Sequence, residues 1–470
     1  MIFSSLTFIY IFLPLLFLLY AINPNVTYRK FILTLFSLIF YAWGEPVYIL
    51  LLIFIVYINY RYALIIFSGR RQSYKRGILI IAIVINLLCL AIFKYLSLII
   101  ETINLIPSIN IPYIRLALPV GISFFTFQAM SYTIDVYRGE VEPQRKFMPF
   151  LMYVSFFPQL VAGPIVRYVD IEKDIDNRKL DAVNMFNGLF RFSIGLAKKV
   201  MLANSLGNVC NLLTTNNSIP SVLSTWLVSI FFTLQLYFDF SGYSDMAIGL
   251  GKFFNFTFLE NFNYPYEATS VTDFWRRWNI SLSSFFRDYV YIPLGGKYSK
   301  QIRNIIIVWA LTGLWHGASW NFCLWGLYYA LLLIIEKYFL QKVFSKIPKI
   351  LSSFIGHIYL IFMTVVGFTI FYYTDFESLI KALKNMFGLS IAPATTMIST
   401  SILNDNLVLL IIAIIGSFSL VSRICKFMVS KINNNKVTYI LKAIVIITFL
   451  FISTALLIGN SYNPFLYFRF

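Results

Sequence analysis

Charged residues are scarce in this chain. They make up 12% of its 470 residues while 59% are hydrophobic, whereas soluble globular domains carry about 25% charged residues. That balance excludes a soluble domain and implies an all-α polytopic membrane protein, its apolar runs being of helix-spanning length. Histidine is rarer still. There are two, His316 and His357, which excludes a His-rich metal cluster. The four cysteines, Cys89, Cys210, Cys323 and Cys425, stand apart in apolar segments with no C-x-x-C spacing, so neither zinc nor disulfides are expected. Acidic residues number 20 against 38 Lys and Arg, for a net charge of +18. The basic residues fall in short loops between apolar runs, where they act as topology signals and do not point to nucleic acid. There is no internal repeat and no low-complexity linker. A single membrane domain over 1–470 accounts for the chain, with 375–404 as the one stretch able to form a small extramembrane cap.

Crossing about 30 Å of hydrocarbon takes roughly 20 apolar residues. Spans are expected at about 2–22, 31–44, 47–68, 78–100, 116–135, 186–213, 222–250, 352–374, 405–422 and 439–459. The first has no basic flank before it and no small-residue cleavage site after it, so it reads as a retained span. Arg29 and Lys30, then Arg70, Arg71, Lys75 and Arg76, then Arg138, Arg145 and Lys146 mark alternate loops. Those loops are cytoplasmic by the positive-inside rule, which leaves the N-terminus outside. Residues 148–166 are apolar but broken by Pro149, Pro158 and Gly163-Pro164, and both flanks look cytoplasmic, which predicts a re-entrant hairpin. Between Arg303 and Lys337, both of cytoplasmic character, lie only 33 residues. Two full crossings need about 40. The runs 304–314 and 322–335 are therefore two short arms meeting at Trp315-His316-Gly317, or two compressed spans, and in either case His316 lies deep in the membrane.

Ionisable groups at that depth mark functional sites by default. His316 is a candidate general base, or it simply caps a helix end. His357 stands in an ordinary apolar span and reads as a packed or interfacial residue. From Ser270 onward a weak capping box, Ser270 and Asp273, precedes apolar residues at 274, 278, 282, 285 and 289, the spacing of one helix face. Arg276, Arg277 and Arg287 fall largely off that face, available either to phosphates or to anionic headgroups. Asp239 and Asp245, six apart in an apolar helix, lie on different faces and cannot share one proton. Each is expected to pair with a base such as Arg191, Lys198, Arg276 or Arg277.

Several ordered blocks resemble the membrane-bound O-acyltransferase (MBOAT) family, most of all the membrane subunit of alginate and related exopolysaccharide O-acetylation systems. They are Phe40-Tyr-Ala-Trp-Gly-Glu-Pro46, Phe93-Lys-Tyr, Pro119 to Gln128, Phe157 to Arg167, Tyr237 to Gly249, Asn261-Phe-Asn-Tyr-Pro-Tyr266, Asp273 to Gly296 and Leu311-Thr-Gly-Leu-Trp-His-Gly-Ala-Ser-Trp-Asn321. Asn463 to Phe470 also looks familial. The resemblance implies about ten transmembrane helices with re-entrant and interfacial helices, forming a ring around a central funnel. It implies a motif core over about 115–375, with peripheral spans over about 1–100 and 400–470, in the bacterial cytoplasmic (inner) membrane. His316 falls at the family's essential histidine, and Trp315 and Trp278 are structural neighbours within the matching motifs. The donor implied is acetyl-CoA, a substrate and not a bound cofactor, its phosphates held by some of Arg276, Arg277, Arg287 and Lys297.

The acceptor implied is a polysaccharide or peptidoglycan, reached through an extracytoplasmic partner of SGNH-hydrolase type. D-alanyl transfer to teichoic acid from a carrier protein is the enzymatic alternative. Two departures stand out. Where close relatives read Arg-Trp-His-Ile, this chain has Trp278-Asn279-Ile280, and where many read Leu-Tyr-His-Gly it has Leu327-Tyr328-Tyr329-Ala330. Asn279 can orient a thioester through hydrogen bonds but cannot act as a base, so a two-histidine mechanism is excluded. A glycan transporter coupled through Asp239 and Asp245, and a catalytically silent scaffold, are the remaining alternatives.

Overall fold

A computed structural model describes residues 1–470 apart from 107, 114, 115, 177, 216–219, 433, 460, 461 and 467–470. All regular structure in the described residues is helical. Six helices are long and apolar enough to cross a membrane: Ile49–Ser68, Gln72–Ile103, Val222–Phe253, Trp320–Phe344, Lys349–Tyr372 and Asn435–Gly459. Met397–Asp405 and Leu407–Ser417, bent by 58°, would make a seventh if taken as one span. Other apolar segments read from the sequence are shorter helices, such as Phe8–Ile22, Val26–Ala42 and Ile122–Arg138, while that expected at 186–213 is helical throughout, over Ala182–Ala197, Lys198–Ala203 and Asn204–Thr215 in succession.

Contacts divide the chain into two compact units. The first comprises Met1–Ser193 and Tyr243–Glu260. Its centre is a phenylalanine cluster, Phe3, Phe8, Phe12, Phe40 and Phe157, with ring centroids 5.0–6.2 Å apart. The segment expected to re-enter forms two short buried helices, Phe147–Ser155 and Phe157–Leu160, broken at Phe156 with Pro158 in the next turn. Neither is long enough to cross. A buried Asn59–Asn86 amide pair, with Thr133 donating to Asn59 at 2.9 Å, ties three helices of this unit together.

The second unit comprises Ile194–Gly242 and Asn261–Phe470. The span expected at 405–422 is not a single helix. Leu407–Ser417 ends at an extended Phe418, and Leu420–Ser430 begins afresh. Ser419 is held at that break by Glu267, which accepts from both its N–H and its hydroxyl. Burial pushes the Glu267 carboxyl up, but those two bonds and the Arg423 guanidinium outweigh it and hold it below its usual value. The 375–404 stretch holds an amphipathic helix, Phe376–Met386, capped by Asp375.

Candidate active site

The site is built on a tight helical hairpin. Gln301–His316 runs into Trp320–Ile335 through Gly317 and Ser319, both in extended conformation, so the two arms meet where the sequence places them. A Cβ on Gly326 would lie 2.2 Å from the Trp309 carbonyl oxygen, and one on Gly313 2.3 Å from that of Phe322. The helices therefore touch backbone to backbone, which only glycine permits. The second arm continues as a helix past Lys337 to Phe344.

His316 ends the first arm and is 4% exposed. Its ring meets Trp315 and Trp325 edge to face at 4.8 Å and Phe371 at 5.2 Å. Trp325 in turn lies 5.5 Å from Trp275 and 5.1 Å from Tyr329, while Trp275 and Tyr329 are 4.8 Å apart. The indole N–H groups of Trp275 and Trp325 and the Tyr329 hydroxyl are buried there without a hydrogen-bond partner among the described residues.

The segment from Ser270 departs from the single helix its periodicity predicts. Ser270 does cap it, accepting from the Asp273 N–H. The helix Val271–Arg277 then stops, Trp278 is extended, Asn279 is left-handed at φ 44°, and Ile280–Phe286 starts a second helix. Asn261 enforces the break: its carbonyl accepts from the Ile280 N–H and its side-chain oxygen from the Ser281 N–H, both at 3.0 Å. Phe274, Trp278, Leu282 and Phe285 are buried as the spacing requires, while Tyr289, the last position of that face, is half-buried. Trp278 stacks on Phe274 at 5.5 Å and contacts Phe368 at 5.2 Å, and Phe368 contacts Phe371 beside His316 at 6.4 Å. One aromatic cluster thus joins Trp278 and Trp315 to His316. Asn279 is 4% exposed, and its side-chain amide makes no hydrogen bond among the described residues.

The four cations differ in availability. Arg276 is exposed and has no ion pair among the described residues. Arg277 is held by Asp273 at 2.9 Å, Arg287 by Asp288 at 2.6 Å, and exposed Lys297 lies 5.0 Å from the Tyr298 ring. Asn304, not singled out in the sequence, fixes the loop carrying Lys297 by donating to the carbonyls of Leu294, Gly296 and Ser299.

The two aspartates do not join this cluster. Asp245, in the first unit, binds Arg191 at 2.7 Å, and Arg191 also binds Glu260. Asp239, in the second, pairs at 2.7 Å with Lys199. Lys198 and the arginines at 276 and 277 are not its partners, because helical spacing turns Lys199 inward and its neighbour elsewhere. His357 lies half-buried with Nδ1 3.1 Å from the Ala268 carbonyl oxygen, the interfacial brace its surroundings suggest. No group of three or more His, Cys, Asp or Glu side chains able to hold a metal occurs among the described residues.

The class these features define is an all-α integral membrane protein with a deeply buried histidine. Residues 125–374 match the model of the MBOAT, membrane-bound O-acyltransferase family, and the chain belongs to that family. It is therefore a membrane acyltransferase by kinship. It is 37% identical to the peptidoglycan O-acetyltransferase of Helicobacter pylori over 83% of this chain and 80% of that one. To the "Probable alginate O-acetylase AlgI" of Azotobacter vinelandii it is 41% identical over 72% of this chain and 69% of that one. A teichoic acid D-alanyltransferase of Bacillus subtilis matches at 28% over 47% and 59%.

Proposed function

We propose that this protein transfers an acetyl group from acetyl-CoA, on the cytoplasmic side of the bacterial inner membrane, to a hydroxyl on the opposite side. The destination is a cell-envelope polysaccharide or peptidoglycan, reached through an extracytoplasmic SGNH-type partner. The observation that carries the reading is His316, buried among Trp315, Trp325 and Phe371 at the tip of the hairpin. A hydroxyl beside it gives its proton to the imidazole as the oxygen attacks the thioester carbonyl carbon. The carbon–sulfur bond then breaks, and the departing thiolate takes the proton back from the imidazolium. The same geometry serves a relay in which the imidazole itself carries the acyl group for one step.

Asn279 offers its side-chain amide to the acyl carbonyl or to the developing negative oxygen. The donors of Trp275, Trp325 and Tyr329, without partners among the described residues, suit an uncharged chain rich in carbonyl oxygens, which is the chemistry of a pantetheine arm. Phosphates fall to Arg276 and Lys297, with Arg277 and Arg287 supporting from their carboxylate pairs. The N-terminus lies outside, on the side of the acceptor. Acetylation is favoured over D-alanylation by the longer and closer match to the O-acetylating relatives. Engagement of Asp239 and Asp245 in ion pairs weighs against their serving as transport-coupling groups.

The experiment is transfer of labelled acetyl from acetyl-CoA, supplied on the cytoplasmic face of membrane vesicles, to envelope material. His316→Ala, produced at normal levels, is expected to abolish labelling. Undiminished labelling in that variant would sink the mechanism, and labelling from a charged carrier protein alone would redirect it to D-alanylation.

A further inference from the structure

We propose that Glu336 is a positioning residue for acyl transfer, fixing the segment that carries Trp278 and Asn279 against the second arm of the hairpin, whose first arm ends at His316. The proposal rests on the acyl-transfer reading above. Glu336 is 2% exposed, in the helix Trp320–Phe344. Nothing in the sequence around Ile335-Glu336-Lys337 distinguishes it from a surface charge at a helix end. In the fold its carboxylate accepts from the Val271 N–H, from the Thr272 N–H at 2.9 Å and from the Thr272 hydroxyl at 2.7 Å.

Those are the first two amides of the helix Val271–Arg277, and Ser270 takes the third, Asp273. A short helix otherwise leaves these donors orphaned, and a negative charge at that end also complements the helix dipole. With all three filled from within, this end offers nothing to a donor phosphate, so phosphate binding falls to side chains beyond it.

The consequence lies in where else the same helix grips the segment. Trp325 and Tyr329 hold Trp275 at 5.5 and 4.8 Å, and Trp325 touches His316 at 4.8 Å. Glu336 stands eleven residues beyond Trp325, about 16 Å along a helix at 1.5 Å per residue. One helix therefore fixes Val271–Arg277 at two points, a hydrogen-bonded end and an aromatic middle. With the end released, the segment can pivot about Trp275, and Asn279 moves relative to His316. Displacement of a reacting group by about 1 Å costs up to about a hundredfold in rate.

The test compares Glu336→Gln, Glu336→Asp and His316→Ala with wild type in the vesicle assay, with rates expressed per folded, monodisperse molecule. Glu336→Gln is expected to lower kcat about ten- to a hundredfold with little change in KM for acetyl-CoA, and Glu336→Asp to restore part of it. A Glu336→Gln protein with wild-type kcat per folded molecule overturns the proposal, as does one whose defect lies only in the amount that folds. A second reading does not depend on transfer: labelling of Asn279→Cys by a maleimide, with the exposed Cys425 changed to Ser. Glu336→Gln is expected to speed that labelling several-fold, and an unchanged rate overturns the proposal. Absence of transfer in wild type, or its survival in His316→Ala, sinks the acyl-transfer reading separately, and the labelling result then decides on Glu336.

Discussion

Asn279 combines two properties that a substitution can separate. Its backbone is left-handed at φ 44°, a conformation that costs most L-residues roughly 1–2 kcal/mol and that Asn tolerates through its short polar side chain. The residue is 4% exposed, and its side-chain amide makes no hydrogen bond among the described residues. Asn279→Gly keeps the turn and removes the amide, whereas Asn279→Ala removes the amide and adds about 1 kcal/mol of strain. Both are expected to lose most of the labelled-acetyl transfer, with only Asn279→Ala melting at lower temperature. A glycine variant with full transfer would show that the amide is not used and that the residue serves the turn alone. The sequence shows an asparagine between Trp278 and Ile280. It does not show the turn, because apolar spacing reports which of 274, 278, 282 and 285 are buried and not whether the backbone between them is continuous.

The hairpin is the element on which His316 depends, and two glycines set its width. A methyl on Gly326 would stand 2.2 Å from a carbonyl oxygen of the facing helix, well inside contact distance, so the arms must separate by on the order of 1 Å to admit it. Gly326→Ala is expected to destabilise the protein by about 1–3 kcal/mol and to lower transfer, because Trp325 beside it moves away from His316. Gly77→Ala, where a Cβ meets nothing within 4 Å, is the control and is expected to leave both unchanged or to raise stability slightly. Thermal unfolding in detergent alongside the vesicle assay reads both effects. Charge counting found the two arms and their meeting point. The apolar run 322–335 ends where the α-helix Trp320–Ile335 does, and a π-helical stretch and one further turn carry the helix on to Phe344.

At the scale of the whole chain, residues far apart in sequence close the second unit. Lys199 and Asp239 form an ion pair with side chains 3% and 1% exposed, and they hold the returning C-terminal segment. Lys199 donates to the Pro464 carbonyl and Asp239 accepts from the Leu466 N–H at 2.9 Å. Removing one partner leaves a buried charge uncompensated, at about 3–5 kcal/mol. Lys199→Met is therefore expected to unfold the protein or free its C-terminal segment to protease, while Lys199→Met with Asp239→Leu recovers much of the stability. A single variant as stable as wild type would refute this role. The last four residues of the Asn463–Phe470 block lie outside the described residues.

Composition and apolar run length alone determined a helical membrane protein and the approximate positions of its helices, because burial in lipid selects residue types over some twenty positions at a time. Family motifs added the acyltransferase class. Only the tertiary structure decided that Asp239 answers Lys199, that Asn261 breaks the helix at Asn279, and that Glu336 caps Val271–Arg277. Each is a contact between distant segments, and a buried polar group leaves no periodic trace in the sequence of the partner it will find.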